Sequence, residues 1–308
     1  MNIIELTPHT IKPNTAAAVG FFDGVHKAHE VLIDRMIERA DKRNLRKAVI
    51  TFDKHPKQVL FNLDYYFITP FEQKIEKLKQ FDIDEIYVIR FTKAIASMNP
   101  KVFIDQYLAN LKLLICGFDF KFGEKASGDI GLLKTYADFE TDVIEKQTYS
   151  GYKIGSSHIR NLILGGLVDE IPPLLGSFYR IKGTVISGMQ KGRTINYPTA
   201  NIDGGAFLYP KRGVYATMSK VKGTWYQSMT SIGFNPTLNP QKGLSVESYL
   251  FDFSSDIYGQ NIETVFVKRL RNEEKFDSKD ALIQQIDQDG EKTLKILKKV
   301  KDDARIYH

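Results

Sequence analysis

The sequence predicts two different β-containing folds in one chain of 308 residues. An α/β fold with a parallel sheet comes first, and a small antiparallel β-barrel and a C-terminal helix follow it. Strand-like and helix-like segments alternate through the first half of the chain, which indicates βαβ units. After Leu174 the segments become short, β-rich and separated by glycine or proline. The length also favours two domains over a single hydrophobic core.

The first half contains five strand-like segments, each followed by a helix-like one. The strands read AAAVGFF, RKAVITF, EIYVIRF, KLLICGF and TDVIEKQTY. The helices read AHEVLIDRMIERADKRN, PFEQKIEKLKQF, PKVFIDQYLANL, DIGLLKTYADF and SSHIRNLILGG. The first helix begins near Ala28 and has one apolar side, formed by Val31, Leu32, Met36, Ile37 and Ala40. In a parallel sheet of this kind ligands bind at the carboxyl ends of the strands, so the loops there are the candidate site.

The second half has closely spaced strands and a helical end. The strands lie in GVYATMSKVKGTWYQSMTSIGFNPT and SVESYLFDFSSDIYGQNIETVFVKRL, and the final helix begins after the predicted N-cap Ser278. Gly290 is a position where that helix is expected to bend or divide. The change from alternating strands and helices to short, closely spaced strands places the domain boundary between about Gly176 and Gly183, which gives domains of residues 1–178 and 179–308.

Composition and charge describe an ordinary globular protein. The hydrophobic share is 43%, the charged share is 26%, and no apolar run is long enough to span a bilayer. The N-terminus lacks the pattern of a signal peptide, and the single cysteine, Cys116, lies in an apolar run and is predicted to be buried. These features predict a cytoplasmic protein. The net charge of +6 is scattered and no nucleic-acid motif is present, so neither nucleic acid nor membrane is an expected partner.

The turn after the first strand concentrates polar chemistry in GFFDGVHKAHE. Asp23, His26 and His29 fall between a strand end and a helix N-terminus, where backbone N–H groups and the helix dipole favour an anion. Two histidines three residues apart add donors, which suits a triphosphate under attack at its α-phosphorus. The alternatives are an exposed polar turn and a metal site that recruits His55 and His158.

A second polar cluster, GSSHIRN, begins the last helix of the first half. Ser156 and Ser157 lie at the helix start and Arg160 lies one turn further on. Hydroxyl groups, free backbone N–H groups and a guanidinium together can grip a pyrophosphate. The alternative is an ordinary helix cap with a solvated arginine. Both clusters are expected at the same edge of the sheet, which favours the functional interpretation.

Several segments, in this order along nearly the whole chain, resemble a known family. GFFDGVHKAH, TFDKHP, GFDFKFG and GSSHIR resemble the adenylyltransferase half of the bacterial bifunctional riboflavin kinase/FMN adenylyltransferases, also called FAD synthetases. GRTINYPTAN, GVYA, IGFNPT, VESYLFDF, DIYG and RLRNEEKF resemble the riboflavin kinase half. The resemblance implies a Rossmann-like nucleotidyltransferase domain followed by a riboflavin kinase barrel, in a multifunctional transferase of FMN and FAD biosynthesis.

The resemblance also implies roles for residues of the first half. His26 and His29 match the His–x–Gly–His element that contacts ATP phosphates, and Arg160 is expected to stabilise the transition state with them. The expected ATP and phosphate ligands of this half are Gly20, Phe21, Asp23, Ser156 and Ser157. Asp119 of GFDFKFG matches a position on the flavin side.

In the second half the resemblance assigns a kinase site. Thr199 and Asn201 of PTAN match the magnesium and phosphate pair, and Glu247 matches the general base. Hydroxyl and amide oxygens suit Mg²⁺, and a carboxylate suits proton removal from a primary hydroxyl. Two expected nucleotide contacts, Gly188 and Gly192, flank the turn SGMQKGR, and two expected flavin contacts, Arg271 and Phe276, lie in RLRNEEKF.

The predicted activity is therefore ATP-dependent phosphorylation of riboflavin to FMN, followed by adenylylation of FMN to FAD. Mg²⁺ is the expected cofactor, ATP the co-substrate, and the flavins the substrates and products. Three residues depart from the family pattern: Ala28 and Asn196 replace glycines, and Gly155 replaces a serine. The departures at Ala28 and Gly155 motivate two alternatives, a flavin- or nucleotide-binding regulator and a kinase whose adenylyltransferase site is detuned.

Overall fold

The computed structural model describes residues 1–188, 197–234 and 243–307. The chain divides into two compact units, Met1–Ser156 and Ser157–His308. The first contains a parallel sheet and the second a closed antiparallel barrel, as the alternation of segments predicts. The boundary at 178/179 stays a prediction. No helix in the described part of the chain is long and apolar enough to cross a bilayer.

The first unit is built on a six-stranded parallel sheet with the strand order β1-β4-β3-β2-β5-β6. The strands are β1 (Asn2–Glu5), β2 (Thr15–Val19), β3 (Arg46–Phe52), β4 (Glu85–Ile89), β5 (Leu111–Gly117) and β6 (Glu140–Ile144). Every residue of β2 and β4 is buried, as expected for inner strands covered on both faces. Cys116 is fully buried in β5, as predicted.

Helices connect these strands and cover both faces of the sheet. They are α1 (Lys27–Asp41), α2 (Pro56–Phe61), α3 (Phe71–Leu78), α4 (Lys93–Ala96), α5 (Pro100–Phe103), continued by a π-helical turn (Ile104–Leu108), and α6 (Ile130–Tyr136). The apolar face of α1 is rotated slightly from its prediction, because Ile33 is buried while Val31 is 39% exposed. The predicted strand TDVIEKQTY is also interrupted: β6 ends at Ile144, and a short hairpin of β7 (Thr148–Tyr149) and β8 (Tyr152–Lys153) follows.

The second unit is a closed antiparallel barrel with the order β10-β13-β12-β11-β14-β9. Its strands are β9 (Arg180–Ile186), β10 (Ala200–Asp203), β11 (Gly213–Val221), β12 (Thr224–Phe234), β13 (Leu244–Leu250) and β14 (Asn261–Arg271). Its helices are α7 (Ser156–Gly165), α8 (Pro172–Leu175), α9 (Lys279–Val300) and α10 (Ala304–Tyr307). Helix α7 begins at the last residue of the first unit.

The long helix α9 covers one outer side of the barrel. The predicted cap forms, because the Ser278 hydroxyl accepts a hydrogen bond from the backbone N–H of Ala281 at 3.1 Å. Gly290 lies inside α9 and does not divide it into two elements. A Cβ at that position would lie 3.5 Å from the ring of Phe251, an ordinary van der Waals distance, so the packing there does not require a glycine. Further along, Leu297 belongs to the same apolar cluster as Ala216.

The interior of the barrel contains hydroxyl groups. Six of its side chains are fully buried and hydrogen-bonded to one another: Thr217, Ser219, Ser228, Thr230, Ser248 and Thr264. The oxygen–oxygen distances run from 2.8 Å for Thr217–Ser228 to 3.3 Å for Ser219–Ser248. Burying a hydroxyl is costly unless it is hydrogen-bonded, and this network supplies the partners. Because Ser248 points inward, its neighbour Glu247 points to the outer face.

Candidate functional site

The turn between β2 and α1, residues 20–26, has unusual backbone geometry. Phe22, Gly24 and Val25 have φ angles of 56°, 93° and 46°. Left-handed conformations are rare for non-glycine residues, above all β-branched ones, and cost about 1–3 kcal/mol each. Such strain persists only where the surroundings impose it, and it is concentrated at functional sites. The turn therefore stands out as a candidate site on geometry alone.

Hydrogen bonds tie this turn to neighbouring segments. Asp23 accepts a hydrogen bond from the Thr69 backbone N–H through Oδ1, at 3.1 Å. Its backbone carbonyl accepts one from the Ser156 hydroxyl, at 2.9 Å. The Gly20 N–H donates to the carbonyl of Ile50 on β3, at 3.1 Å. The structure thus brings Ser156, the first serine of the second polar cluster, to the turn that contains the first cluster.

The two histidines of the turn lie face to face. The ring centroids of His26 and His29 are 3.6 Å apart and the planes differ by 13°, while the ring of Phe22 meets His29 edge-on. His26 is only 4% exposed, and burial lowers its pKa to about 4. Burial also holds the pKa of His29 well below its ordinary value, and the neighbouring His26 adds to that shift. Both rings are therefore neutral at pH 7, and each offers one N–H donor and one acceptor nitrogen.

Fixed cations surround His26. Lys153 and Lys77 both lower its pKa through their charge. The Lys153 ammonium forms an ion pair with Asp119 and lies 4.6 Å from the centre of the Phe118 ring. Asp119 is exposed in the loop directly after β5, at the carboxyl edge of the sheet. The predicted flavin-side aspartate is thus linked through Lys153 to the electrostatics of the histidine pair.

Helix α7 carries the remaining residues of the second cluster. Ser157 is exposed on its first turn and Arg160 is partly buried on the next. Both belong to the second compact unit, while Ser156 belongs to the first. The predicted helix over SSHIRNLILGG is confirmed.

The metal-site alternative for the histidines gains no support. His55 caps α2, with its Nδ1 accepting a hydrogen bond from the backbone N–H of Lys57 at 3.2 Å, and its ring stacks on Tyr65. Within residues 1–188, 197–234 and 243–307, no group of three His, Cys, Asp or Glu side chains is placed to hold a metal ion.

A second cluster lies on the outer face of the barrel. The Thr199 hydroxyl lies 3.4 Å from Oε2 of Glu247, and Asn201 on β10 is paired in register with Glu247 on β13. Asn201 is 7% exposed, and its Oδ1 has no hydrogen-bond partner among the residues that the structure describes. A Cβ on Gly188 would lie 2.1 Å from Nδ2 of Asn201, so the backbone at Gly188 can approach the amide only as glycine. Gly192 and Asn196 lie outside the described residues.

The two predicted flavin contacts also lie together. The Arg271 guanidinium lies 5.7 Å from the centre of the Phe276 ring. Its Nε donates to Oδ2 of Asp289 at 2.6 Å, and Asp289 is 1% exposed on α9. Asp289 was not predictable as a site residue from the sequence, because its partner Arg271 is 18 positions away and no short motif joins them.

Register relates the two groups of residues on the barrel. Glu247 pairs with Ser231, Ser231 with Val214, and Val214 with Arg271. Their strands, β13 and β14, are therefore three strands apart in a closed ring of six. The Thr199–Asn201–Glu247 cluster and the Arg271–Phe276 pair are thus separate groups, half-way round the barrel from each other.

Lys74, on α3, is a further residue near the turn that the sequence motifs do not single out. It is 3% exposed and lies near the carboxyl ends of β2 and β3. In the sequence it is one of three lysines in PFEQKIEKLKQF, a helix whose polar side is expected to face solvent. One feature of the sequence does indicate its burial. Lys74 lies three residues after Phe71 and four before Leu78, which places it on the apolar side of the helix.

Comparisons with known proteins agree with this architecture. Residues 9–158 match the family model described as FAD synthetase, and residues 175–297 match the one described as riboflavin kinase. A bifunctional riboflavin kinase/FMN adenylyltransferase of Listeria monocytogenes is 40% identical over 94% of this chain and 94% of the relative. That of Bacillus subtilis is 37% identical over 96% of this chain and 98% of the relative.

A solved structure from Streptococcus pneumoniae, described as a macrolide-efflux protein, superposes with a TM-score of 0.84. It is 32% identical and covers 94% of this chain and 98% of its own. The description as an efflux protein belongs to that solved chain. The matched segments, their order and the identity over nearly the full length all agree, and the chain belongs to the family of bifunctional riboflavin kinase/FMN adenylyltransferases.

Proposed function

We propose that this chain makes FAD from riboflavin in two ATP-dependent steps. The second unit phosphorylates riboflavin to FMN, and the first joins FMN to the AMP part of another ATP. One observation carries the proposal. The strained turn with two stacked histidines lies in the half that matches FAD synthetase, and the Thr199–Asn201–Glu247 cluster lies in the half that matches riboflavin kinase.

In the kinase step Glu247 is the general base. Its carboxylate accepts the proton of the ribityl 5′-hydroxyl as that oxygen attacks the γ-phosphorus of ATP and the bond to the bridging oxygen of ADP breaks. Arg271 and Phe276, whose guanidinium and ring lie 5.7 Å apart, are the proposed contacts of the flavin ring system.

The kinase cluster also fits Mg²⁺. Within the described part of the chain the buried Oδ1 of Asn201 has no hydrogen-bond partner, and both Asn201 and the Thr199 hydroxyl lie beside Glu247, so two neutral oxygen donors accompany a carboxylate. Oxygen donors of this type are those that Mg²⁺ prefers. Thr199 and Asn201 would hold the ion, which when bound offsets the charge of the ATP phosphates.

In the adenylyl transfer a phosphate oxygen of FMN attacks the α-phosphorus of ATP. The bond to the β-phosphate oxygen breaks and pyrophosphate leaves, without a covalent enzyme intermediate. His26 and His29 are neutral, so they act as hydrogen-bond donors to the phosphoryl oxygens, and nearby positive charge comes from Lys77 and Lys153. Arg160 is the further cation that the family resemblance assigns to this step. The Ser156 and Ser157 hydroxyls bind the departing pyrophosphate.

Gly20, Phe21 and Asp23 shape this phosphate site, and Asp119 lies on the flavin side of it. The partners of both reactions are small molecules: riboflavin, FMN and ATP. We place the protein in the cytoplasm, where the ATP that both steps consume is available.

The test separates the two activities. Glu247→Gln is expected to lower FMN formation at least about 100-fold, because the group that takes the proton is lost. FAD formation from supplied FMN should persist, since that reaction uses the other unit. Glu274→Gln, which removes an exposed carboxylate on the segment after β14, is the matched control and should leave both rates unchanged.

Equal loss of both reactions in Glu247→Gln would contradict the assignment of two separate sites. Wild-type protein that binds flavin and ATP without forming product would support the regulator instead. FMN formation alone would indicate a detuned adenylyltransferase site. Chromatography of the flavins over time distinguishes these outcomes in one incubation with riboflavin, ATP and Mg²⁺.

A further inference from the structure

A buried lysine lies beneath the proposed adenylyltransferase site. Lys74 is 3% exposed, and its side chain extends from α3 toward the ends of β2 and β3. A buried ammonium group is costly unless hydrogen bonds and opposite charge compensate it. The contacts that compensate Lys74 therefore indicate what the residue does.

Three acceptors surround the ammonium nitrogen. They are the Phe52 carbonyl at 2.8 Å, the Thr51 hydroxyl at 3.1 Å and the Phe21 carbonyl at 3.1 Å. A lysine ammonium has three N–H donors, so these contacts use all of them. Lys74 has no donor left for a substrate, which excludes a direct role in binding phosphate and leaves a role in positioning.

The contacts converge on Phe21, at the start of the strained turn. Lys74 binds the Phe21 carbonyl, and its ammonium lies 4.8 Å from the centre of the Phe21 ring. The Thr51 hydroxyl donates to the same carbonyl at 3.2 Å. The next residue, Phe22, is the first left-handed residue of the turn, and His26 follows four residues later. The backbone path to the histidines is thus fixed at its origin by one side chain that also fixes the end of β3.

We propose that Lys74 is a positioning residue for adenylyl transfer: by holding the Phe21 carbonyl against the end of β3, it sets the path of the turn that presents His26 and His29 to the reacting phosphate. The inference deepens the proposed function of the first unit and rests on it. No role in the kinase reaction follows from these contacts.

The electrostatics agree with this geometry. Burial lowers the pKa of Lys74 to about 8, while the charges of Asp23 and Asp53 oppose that shift, so the group is predominantly charged at pH 7. Its charge also lowers the pKa of His29. Lys74 thus favours the neutral imidazole that donates a hydrogen bond.

The test is Lys74→Met in the full chain, which keeps the length and apolar stem and removes the charge and donors. A shift of about 1 Å in a catalytic group can cost about 100-fold in rate, so kcat for FAD formation from FMN is expected to fall by about 100-fold. The KM for ATP should change much less, because Lys74 touches no substrate. Lys74→Arg, which keeps the charge, should retain more activity than Lys74→Met.

Two controls accompany this variant. Lys79→Met removes a lysine that follows the same helix, is 40% exposed and pairs with Glu76, and it should behave as wild type. Riboflavin phosphorylation by the same Lys74→Met chain should also be unchanged. If Lys74→Met unfolds the first unit, Thr51→Val is the deciding variant. It keeps the lysine but removes the hydroxyl that accepts a hydrogen bond from Lys74 and donates one to the Phe21 carbonyl.

The outcomes are distinguishable. The positioning role is overturned if Lys74→Met forms FAD from FMN with a kcat near that of wild type. It is also overturned if kcat is unchanged and only the KM for ATP rises. After unfolding of Lys74→Met, unchanged kcat in Thr51→Val overturns it, and a lower kcat supports it. Wild-type protein that forms no FAD from FMN and ATP refutes the proposed function and the inference together, whereas an active wild type with an equally active Lys74→Met refutes the inference alone.

Discussion

The buried histidine pair makes the first unit sensitive to acid. The pKa of His26 is lowered from 6.5 to about 4, chiefly by burial, so the folded protein resists taking up a proton that the unfolded chain accepts readily. The free energy of unfolding is therefore highest above about pH 6.5 and falls as the pH drops toward 4. Lowering the pH from 7 to 5 is the perturbation that isolates this effect.

The magnitude follows from the two pKa values. Proton linkage at His26 alone gives a loss of about 2 kcal/mol between pH 7 and pH 5, and about 3 kcal/mol once the pH is below 4. The pKa of His29 is also lowered, so its contribution has the same sign. A loss of 2 kcal/mol is a large fraction of the stability of a typical domain.

Urea unfolding at the two pH values measures the effect. Far-UV circular dichroism follows both units, while fluorescence of the single tryptophan, Trp225 on β12, follows only the second. His26→Asn removes the titrating ring and keeps a good N-cap residue, so its pH dependence should be smaller than that of wild type by about 2 kcal/mol. His9→Asn, at an exposed histidine, should retain the wild-type dependence. An equal loss of stability in wild type and His26→Asn would refute the reasoning.

Three further expectations concern other sites. Asp289→Asn leaves the guanidinium of Arg271 without its buried counter-charge, so the free energy of unfolding of the second unit, measured in urea, should fall by about 3–5 kcal/mol. The KM for riboflavin should also rise, and an unchanged KM would argue against a flavin contact at Arg271. Ala28→Gly restores the family glycine in the first turn of α1 and should raise the rate of FAD formation while FMN formation is unchanged; no change would show that the methyl group of Ala28 is harmless. Burial raises the pKa of Cys116 to about 11, so native protein at pH 8 should resist iodoacetamide and react only on unfolding; rapid labelling of native protein would contradict this.

Much of the fold follows from periodicity. Uniformly apolar segments such as β2 predict inner strands, and amphipathic segments such as α1 predict covering helices, because burial of apolar surface dominates both choices. The interruption between β6 and β7 escaped prediction, since TDVIEKQTY contains no glycine or proline to mark a turn, although its polar run EKQT contains the break. Gly290 was expected to bend or divide the last helix, yet α9 runs through it as one element, Lys279–Val300.

The candidate site was only partly accessible from the sequence. Position between a strand and a helix was enough to single out His26 and His29. The left-handed conformations of Phe22 and Val25 were not predictable, because neither residue type signals them and the surroundings impose them. The neutrality of the histidines likewise depends on burial and on lysines distant in the sequence. Lys74 could have been found, since a lysine on the apolar side of a helix requires an explanation.

The hydroxyl network inside the barrel constrains how this protein can vary. Five of the six side chains make two or three hydrogen bonds within the network, whereas Thr264 bonds only Ser219. Replacing Ser219 by alanine therefore leaves the buried Thr264 hydroxyl without a network partner, at a cost of about 1–3 kcal/mol, whereas replacing both by apolar groups of similar shape is nearly neutral. Change at Ser219 and Thr264 should therefore be concerted, and tolerated variants selected from a library should show these two positions changing together.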